Sequence, residues 1–372
     1  MKKNLTNRAW IELALENLKY NVEQIQKQIP AQREIIAVVK ANAYGHGAVF
    51  IAKKLNEIGI HNFAVATLGE GIELRENNIQ GNILILGYTS PEDVETIIQY
   101  DLTQALVDEE YSRKIQEANH TTKPVKVHIK INTGMNRIGF SSKNMNALEA
   151  VFRMTKIQVT GMFSHLVVAS EQAEESVKFT HQQMADLQKC VEELKQKGYD
   201  TGKIHIQSSY AIFIKTDYPY DYVRTGLFLY GITEKKDFTI KPVLSLKARV
   251  ETVHTIQKGE SVGYGRTYIA EQEEKIAAVS IGYADGYPRA LSNLGVNVIV
   301  NGEYAEVIGR ICMDQLMIKV SGIDNVKPGD VVTLIGSDNN KEVTVLELAN
   351  KVKTNLYEII ARLGQRLERI VK

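Results

Sequence analysis

Cysteine is scarce in this chain of 372 residues. The two cysteines, Cys190 and Cys312, lie in unrelated contexts, so they give neither a disulfide framework nor metal-ligand spacing, and they fit a reducing compartment. The eight histidines include no pair at i, i+4 and no cluster with cysteine. A metal site therefore has no support in the sequence.

Net charge is also nearly absent, at +1. No global field draws the chain towards nucleic acid or anionic lipid, which favours a small-molecule partner. No window approaches the roughly 18 uninterrupted apolar residues of a membrane span, and polar residues follow Met1 to Leu5. We therefore expect a soluble chain with neither a spanning helix nor a signal peptide, which leaves open a soluble part of a longer membrane protein.

Apolar runs and amphipathic stretches alternate regularly over the first two thirds of the chain. Helical spacing predicts helices over residues 12–29, 69–77, 91–100, 144–154 and 171–197. The runs predict strands over residues 35–39, 62–67, 82–87, 103–107, 125–131, 157–163, 203–207 and 222–230. Eight strands joined by helices are typical of a closed (β/α)₈ barrel, whose strands are buried on both faces. A doubly wound open sheet is the competing interpretation, but it seldom needs eight such units.

From about residue 236 the pattern becomes mainly β. Strand-like alternation covers residues 241–254, 276–281, 296–300, 315–320 and 330–335, and only residues 343–353 and 355–371 have a helical pattern afterwards. The sequence therefore predicts two domains, a barrel over residues 1–235 and a mainly β domain over residues 236–372.

Lys40 stands where the apolar run 35–39 meets a glycine-rich turn. Burying an ammonium group is costly unless the group is paired, deprotonated or covalently used, and a desolvated lysine suits a Schiff base with an aldehyde cofactor. The alternative is a lysine that reaches solvent from the strand end. This segment alone does not decide between the two.

Other polar residues fall at the carboxyl ends of predicted strands, where barrels place their chemistry and bind phosphate. His165 follows the sixth strand and Arg224 lies in the eighth. We expect a phosphate site from the Ser209 hydroxyl, the amides around Gly226 and Leu227, and the Tyr44 hydroxyl, with simple turn capping by Ser208 and Ser209 as the alternative.

Lys130 and Arg137 put two cations into one strand-to-loop segment. They need solvent or an acidic partner, and a bound phenolate and carboxylate would supply one for Arg137. An exposed basic loop is a credible alternative for Lys130 and less so for Arg137.

Three clusters of glycine with tyrosine or arginine occur in the second domain, at residues 263–268, 282–287 and 309–314. With 17 tyrosines in the chain, one such cluster is weak evidence, but three in one small domain are stronger. Flanking glycines let the backbone approach a ligand closely and hold the ring in place.

Six segments, in order, resemble the motifs of the alanine racemase family, which are pyridoxal 5′-phosphate enzymes of the type III fold. They read AVVKANAYGHG, KINTGMNRIG, RTGLFLYG, VGYGRTY, GYADGYPR and GRICMDQ, and they span residues 37–315. The resemblance implies a two-base racemase acting on alanine, serine or both, which supplies D-amino acid for peptidoglycan precursors. It also implies a head-to-tail homodimer with shared active sites.

The resemblance implies a role for each matching residue. Lys40 would hold the cofactor and act as one base, and Tyr264 of the partner subunit would be the other. Arg224 would face the pyridine nitrogen, His165 would link Arg224 to the tyrosine, and Arg137 would lie near the phenolic oxygen. The remaining matches are Tyr44, Ser209, Gly226, Leu227 and Tyr357 for the phosphate, Tyr283 and Met313 for the substrate, and Lys130 as a lysine that is often carbamylated.

The chain departs from the common family pattern at Leu166–Ser170, Ser208, Asn136 and Arg366–Arg369. With the opening Asn7–Trp10, these departures are similar to the cytoplasmic racemase domain of the membrane-bound serine racemases of vancomycin-resistance operons. We expect a cytoplasmic location, and the chain alone does not decide between alanine and serine.

Three other functions compete with the racemase. A pyridoxal-phosphate decarboxylase of the same architecture would use a cysteine donor, and Cys312 keeps that interpretation open. A non-catalytic single-barrel carrier of the cofactor would lack residues 236–372. A structural or interaction protein would bind no cofactor at all.

Overall fold

The computed structural model describes residues 7–372, which group into two compact units. The barrel unit comprises residues 21–43 and 48–229, and the β unit comprises the described residues up to Tyr20, residues 44–47 and residues 230–372. Two segments that precede residue 230, the described residues up to Tyr20 and residues 44–47, thus belong to the β unit. Our prediction instead divided the chain into two continuous segments at residue 235. Our prediction about Met1 to Leu5 lies outside the described residues.

Strands and α-helices account for similar numbers of residues. Within residues 7–372 they are β1 (Ala9–Leu13), β2 (Glu34–Val38), β3 (Asn62–Val65), β4 (Asn82–Ile85), β5 (Thr103–Leu106), β6 (Val125–Asn132), β7 (Phe140–Ser141), β8 (Ile157–Phe163), β9 (Lys203–Ser208), β10 (Tyr222–Thr225), β11 (Leu244–Ile256), β12 (Ser261–Val262), β13 (Tyr268–Ile269), β14 (Glu274–Val279), β15 (Asn297–Val300), β16 (Glu303–Ile308), β17 (Leu316–Lys319), β18 (Val331–Asp338), β19 (Lys341–Val343) and β20 (Glu368–Val371).

Helices lie mainly between the barrel strands. In the same residues they are α1 (Leu15–Gln26), α2 (Lys40–Tyr44), α3 (Ala48–Glu57), α4 (Leu68–Glu76), α5 (Val94–Gln99), α6 (Glu109–Ala118), α7 (Met145–Phe152), α8 (Glu174–Gln196), α9 (Val345–Val352) and α10 (Leu356–Ala361). Short 3₁₀ turns cover Pro91–Asp93, Ser209–Phe213, Tyr264–Arg266, Tyr283–Asp285 and Arg289–Leu291.

The barrel unit contains a closed ring of eight parallel strands, in the order β2, β3, β4, β5, β6, β8, β9, β10 and back to β2. Closure is visible in the register, where Ile36 of β2 pairs with both Asn62 of β3 and Arg224 of β10. Each ring strand coincides with a run predicted from the sequence, so the closed barrel is confirmed and the open sheet is not. The eighth run was predicted too long, because β10 ends at Thr225.

Burial explains why these runs are apolar along their whole length. All four residues of β3 and of β5 are buried, as expected for parallel strands covered on both faces. Three of the helices between them, α4, α6 and α7, have side-chain caps at their starts, for example Asp108, whose side chain accepts a hydrogen bond from the Tyr111 amide. The ring brings the ends of β2, β8, β9 and β10 to one edge, which carries the candidate site.

The β unit is built on a nine-stranded sheet ordered β19, β18, β15, β16, β17, β14, β11, β1, β20. Its N-terminal strand β1 pairs antiparallel with β11 and parallel with β20, with Trp10 opposite Lys247 and Glu368. The sequence placed this segment with the barrel because hydrophobic periodicity does not identify a strand's distant partner.

Two helix predictions are wrong at their ends. Helix α1 begins at Leu15 rather than residue 12, since the preceding residues belong to β1. Helix α10 ends at Ala361 rather than near residue 371, and Glu368–Val371 form β20 on the edge of the sheet. No helix among residues 7–372 is long and apolar enough to cross a membrane.

Candidate active site

Lys40 directly follows Val39 at the carboxyl end of β2, as the sequence predicted. The next four residues have φ between 52° and 53°, and Ala41, Asn42 and Ala43 have ψ between 46° and 50°. They form one turn of left-handed helix without glycine, a conformation that costs L-residues roughly 1–2 kcal/mol each. Strained backbone of this kind persists only where the surroundings hold it, and it is concentrated at functional sites.

Burial and positive neighbours lower the pKa of the Lys40 amine. Desolvation is the largest cause, Arg137 and Arg224 add to it, and Glu70 opposes it. An amine that loses its proton more readily than usual can act as a nucleophile and as a base. The structure therefore favours the reactive interpretation of Lys40 over the solvated one.

Lys130 is buried in β6, only 3% exposed, and its Nζ donates a hydrogen bond to the Ile131 carbonyl at 3.0 Å. Burial and the neighbouring Arg224 and Arg137 lower the pKa of Lys130 to about 7. Arg137, by contrast, is exposed. This reverses our expectation that Lys130 was the better candidate for an exposed loop, because alternation along β6 turns Lys130 inwards while Arg137 lies beyond the strand.

Arg224, on β10, is 5% exposed and lies at the centre of a hydrogen-bond network. Its Nη2 donates to the Ser164 carbonyl at 2.8 Å and to His165 Nδ1 at 3.2 Å, and its Nη1 donates to His205 Nδ1 at 2.6 Å. The structure thus brings Arg224 and His165 together, as the sequence predicted. His205 was missed, because it lies inside the seventh strand run rather than at its end.

The network fixes the protonation of the histidines. A guanidinium only donates, so Nδ1 of His165 and of His205 must accept. Burial, with Arg224 as the next largest cause, lowers the pKa of His165 to about 3. His205 then donates from Nε2 to His128 Nδ1, 2.9 Å away. All three imidazoles are therefore neutral at physiological pH. Burial lowers the pKa of Arg224 to about 9, which still leaves its guanidinium protonated at that pH.

Ser209 and Gly226, both predicted for a phosphate site, are hydrogen-bonded to each other. Ser209 opens the 3₁₀ turn after β9, and its Oγ accepts a hydrogen bond from the Gly226 amide at 3.2 Å. Thr225 Oγ1 lies 3.2 Å from Ser209 Oγ, and the sequence analysis did not predict Thr225 as part of the site. Leu227, the next residue along the chain, is 2% exposed.

Within the β unit, Tyr44 and Tyr357 also come together, with ring centroids 5.5 Å apart. Burial raises the pKa of Tyr44 further above its usual value, so its hydroxyl stays protonated and can donate. Tyr357 is 40% exposed. The sequence predicted both as phosphate donors.

Three further predicted residues of the β unit lie at its surface. Tyr264 is 71% exposed, Met313 53% and Tyr283 41%. Gly263 and Gly265, on either side of Tyr264, have φ of 72° and 73°, a conformation in which other residues are strained. The loops of Tyr283 and Met313 are joined, since the Tyr283 amide donates to the Cys312 carbonyl at 3.0 Å and the Ala284 amide donates to the Met313 carbonyl at 3.0 Å.

The donors at the barrel edge suit an anionic cofactor such as pyridoxal 5′-phosphate. Arg224 is buried, yet its hydrogen bonds go to two carbonyls and two histidines rather than to a carboxylate. Lys40, Lys130 and Arg137 add positive charge nearby. Buried charge of one sign is stabilised when an opposite charge is bound, and the residues present therefore fit the cofactor.

Comparison with known proteins agrees with this geometry. A model of the alanine racemase N-terminal domain matches residues 13–234, and a model of the alanine racemase C-terminal domain matches residues 243–371. An alanine racemase of Carboxydothermus hydrogenoformans is 40% identical over 97% of this chain and 98% of its own length.

Two further proteins extend the likeness. An amino-acid racemase of Enterococcus faecalis is 38% identical over 97% of this chain, which spans 51% of that relative. The structure of alanine racemase from Bacillus anthracis with bound L-Ala-P has a TM-score of 0.92 at 32% identity, covering 99% of this chain and 96% of that one. Since the likeness extends over both units, the chain belongs to the alanine racemase family of pyridoxal 5′-phosphate-dependent amino-acid racemases.

Proposed function

We propose that this racemase interconverts the enantiomers of alanine, of serine or of both, and thereby supplies D-amino acid for peptidoglycan precursors. The observation that carries the proposal is the Lys40 amine, which follows a barrel strand among cations that lower its pKa. The matches favour a racemase and do not support the decarboxylase, the carrier or the structural protein.

The cofactor, when bound, supplies a conjugated ring that takes up the charge left when the α-proton departs. Arg224 would donate to the pyridine nitrogen and would keep its own proton, since its pKa of about 9 lies above neutral pH. Ser209, Gly226, Leu227, Tyr44 and Tyr357 would hold the phosphate, and Arg137 would serve the phenolic oxygen. Tyr283 and Met313 would contact the substrate.

Two bases hold and move the α-proton in this proposal. Lys40 receives or donates it on one face of the substrate, and Tyr264 of the partner subunit does so on the other. With His165 Nδ1 accepting from Arg224, the proton of His165 lies on Nε2. That N–H is free to donate to the phenolic oxygen of Tyr264 of the partner subunit and so favours its ionised form.

The proposal includes a homodimer with shared sites. Its support is the exposure of Tyr264 and Met313 on the β unit, at 71% and 53%, which suits residues presented to another chain. A mixture of Lys40→Ala and Tyr264→Phe chains tests it, because each mixed dimer contains one complete site. After exchange of subunits, roughly a quarter of the wild-type activity should return, and no recovery would refute shared sites.

Carbamylation of Lys130 is part of the same proposal. A carbamate forms only on an unprotonated amine, and the pKa of about 7 leaves a large unprotonated fraction at neutral pH. The negative group would provide the acidic partner that Arg137 needs. Mass spectrometry of the native protein with and without CO₂ measures it.

Two finer points stay proposals. We propose a cytoplasmic location, which suits the free thiols of Cys190 and Cys312. The narrower resemblance to membrane-bound serine racemases remains a prediction, and a preference for serine over alanine would support it.

A racemisation assay tests the function. Purified protein is incubated with L-alanine or L-serine at matched concentrations, followed by chiral analysis and a CO₂ assay. We expect the D-isomer of at least one amino acid without gas, and the ratio of the two rates gives the substrate preference. Gas release without any D-isomer would overturn the proposal.

A further inference from the structure

The left-handed turn after Lys40 is held by a residue outside the predicted site. Glu70 lies in the first turn of α4, and its Oε1 accepts a hydrogen bond from the Ala41 amide at 2.6 Å. The Ala41 amide is the first backbone donor after the lysine. Glu70 therefore binds the turn at the point where it leaves β2.

The same carboxylate also holds the end of the neighbouring strand. Glu70 Oε2 accepts from the Ala66 amide at 2.7 Å and from the Thr67 amide at 3.3 Å, just after β3. Because β2 and β3 pair, with Val38 opposite Ala64, Glu70 ties the ends of two adjacent strands together. An ionised carboxylate has enough acceptor positions for all three amides, whereas most other side chains do not.

Two other hydrogen bonds complete the turn. Asn42 Oδ1 accepts from the Ala48 amide at 2.8 Å, which joins the turn to the start of α3. The Ala43 amide donates to the Val39 carbonyl at 2.8 Å, across Lys40 itself. A strained conformation of L-residues thus persists under restraint at both ends.

We propose that Glu70 is a positioning residue for Lys40. Its carboxylate keeps the backbone of Ala41 in the left-handed conformation and so fixes the direction in which the Lys40 side chain extends from the barrel edge. This inference rests on the proposed role of Lys40. It goes beyond that role by placing the control of the amine in the N3 carboxylate of a different helix, α4.

Two matched variants separate positioning from stability and from charge. Thr67→Ala removes the hydroxyl that accepts a hydrogen bond from the Glu70 amide at 3.3 Å. It therefore weakens the start of α4 but leaves the hydrogen bond from the Ala41 amide to Glu70 in place. Glu73→Ala removes one negative charge from an exposed position on the same helix. Neither residue contributes to the catalytic or cofactor-binding machinery described above.

The experiment compares these controls with Glu70→Ala and Glu70→Gln. Pyridoxal 5′-phosphate is titrated into cofactor-free protein, and its attachment to Lys40 is followed by visible absorption and by borohydride trapping with peptide mass analysis. The kcat and KM of the reconstituted enzymes are measured in parallel, with thermal unfolding as the measure of stability.

We expect Glu70→Ala to slow attachment and lower kcat by roughly 10²-fold, the effect of misplacing a reacting group by about 1 Å. Glu70→Gln retains one acceptor oxygen and should lose less; it also serves as the test variant if Glu70→Ala does not fold. Thr67→Ala and Glu73→Ala should stay within about twofold of wild type in both readouts, even where the unfolding temperature falls.

A rescue variant tests the physical cause. Glycine adopts the left-handed conformation without strain, so Ala41→Gly added to Glu70→Ala should recover part of the attachment rate. Equal effects of Glu70→Ala and Thr67→Ala, or no recovery with glycine, would overturn the positioning role. Failure of the wild-type protein to attach the cofactor at Lys40 would instead refute the proposed function.

Discussion

The two units prepare their candidate site residues in opposite ways. In the barrel unit Lys130, Arg224 and Ser209 are 3%, 5% and 6% exposed, and hydrogen bonds fix their positions. In the β unit Tyr264 and Met313 are 71% and 53% exposed. The barrel thus tunes its groups by burial, while the β unit presents groups on glycine-flanked turns. Burial thus dominates around these barrel residues, and surface presentation dominates for Tyr264 and Met313 of the β unit. Tyr44, buried in the β unit, and Arg137, exposed in the barrel unit, are exceptions.

Replacing Lys40 should have the largest effect, because it removes both the cofactor attachment and one base. We expect Lys40→Ala to lower the racemisation rate at least about 10⁴-fold and to abolish the lysine-linked cofactor band. Chiral analysis and absorption spectroscopy measure the two losses. Lys53→Ala, at an exposed position of α3, is the control and should change neither.

Tyr264→Phe tests the exposed side of the comparison. Loss of the phenol should slow removal of the α-proton from one enantiomer by about 10²–10⁴-fold, while exchange from the other enantiomer and cofactor binding persist. Deuterium exchange from solvent, followed separately for each enantiomer, measures it. Tyr304 is another exposed tyrosine of the β unit, and Tyr304→Phe should leave deuterium exchange from both enantiomers unchanged. Unaltered exchange from both enantiomers of Tyr264→Phe would contradict the two-base proposal.

Lys130 tests whether burial tunes the barrel side. Its pKa is lowered from 10.5 to about 7 by burial and by Arg224 and Arg137, so between these values the unfolded chain binds more protons than the folded one. Stability therefore rises with pH across that window.

In CO₂-free buffer, Lys130→Met should consequently raise the free energy of unfolding most below pH 7, on the order of a few kcal/mol, and the gain should shrink as the pH approaches 10.5. Denaturant titrations at several pH values measure it. A pH-independent gain for Lys130→Met would contradict the burial argument.

Ala41→Gly should give the smallest effect. Relief of left-handed strain outweighs the greater flexibility of unfolded glycine, so we expect about 0.5–1 kcal/mol of added stability. Ala150→Gly, in the right-handed helix α7, should instead lose about 1 kcal/mol. Thermal unfolding distinguishes the two signs, and a loss in both variants would show that the turn is not strained.

Much of the site could be predicted because its residues follow strand ends. Lys40, His165 and Ser209 follow an apolar run within two residues and Arg224 lies within one, and parallel strands in a ring bring such positions to one edge. His205 and Glu70 were missed. His205 lies inside a strand run, and the spacing Thr67-x-x-Glu70 is that of an ordinary capping box, which gives no sign of a contact with another strand.

The sequence by itself determined the eight buried strands, the change to a β unit and the lysine at the end of the first strand, because periodicity and strand ends are local properties. Tertiary structure alone decided which strand β1 and β20 would pair with, that Lys130 rather than Arg137 would be buried, and that four L-residues after Lys40 would adopt a left-handed turn. Each of these depends on hydrogen bonds or packing between residues far apart in the chain. Spacing along the sequence carries no information about such partners.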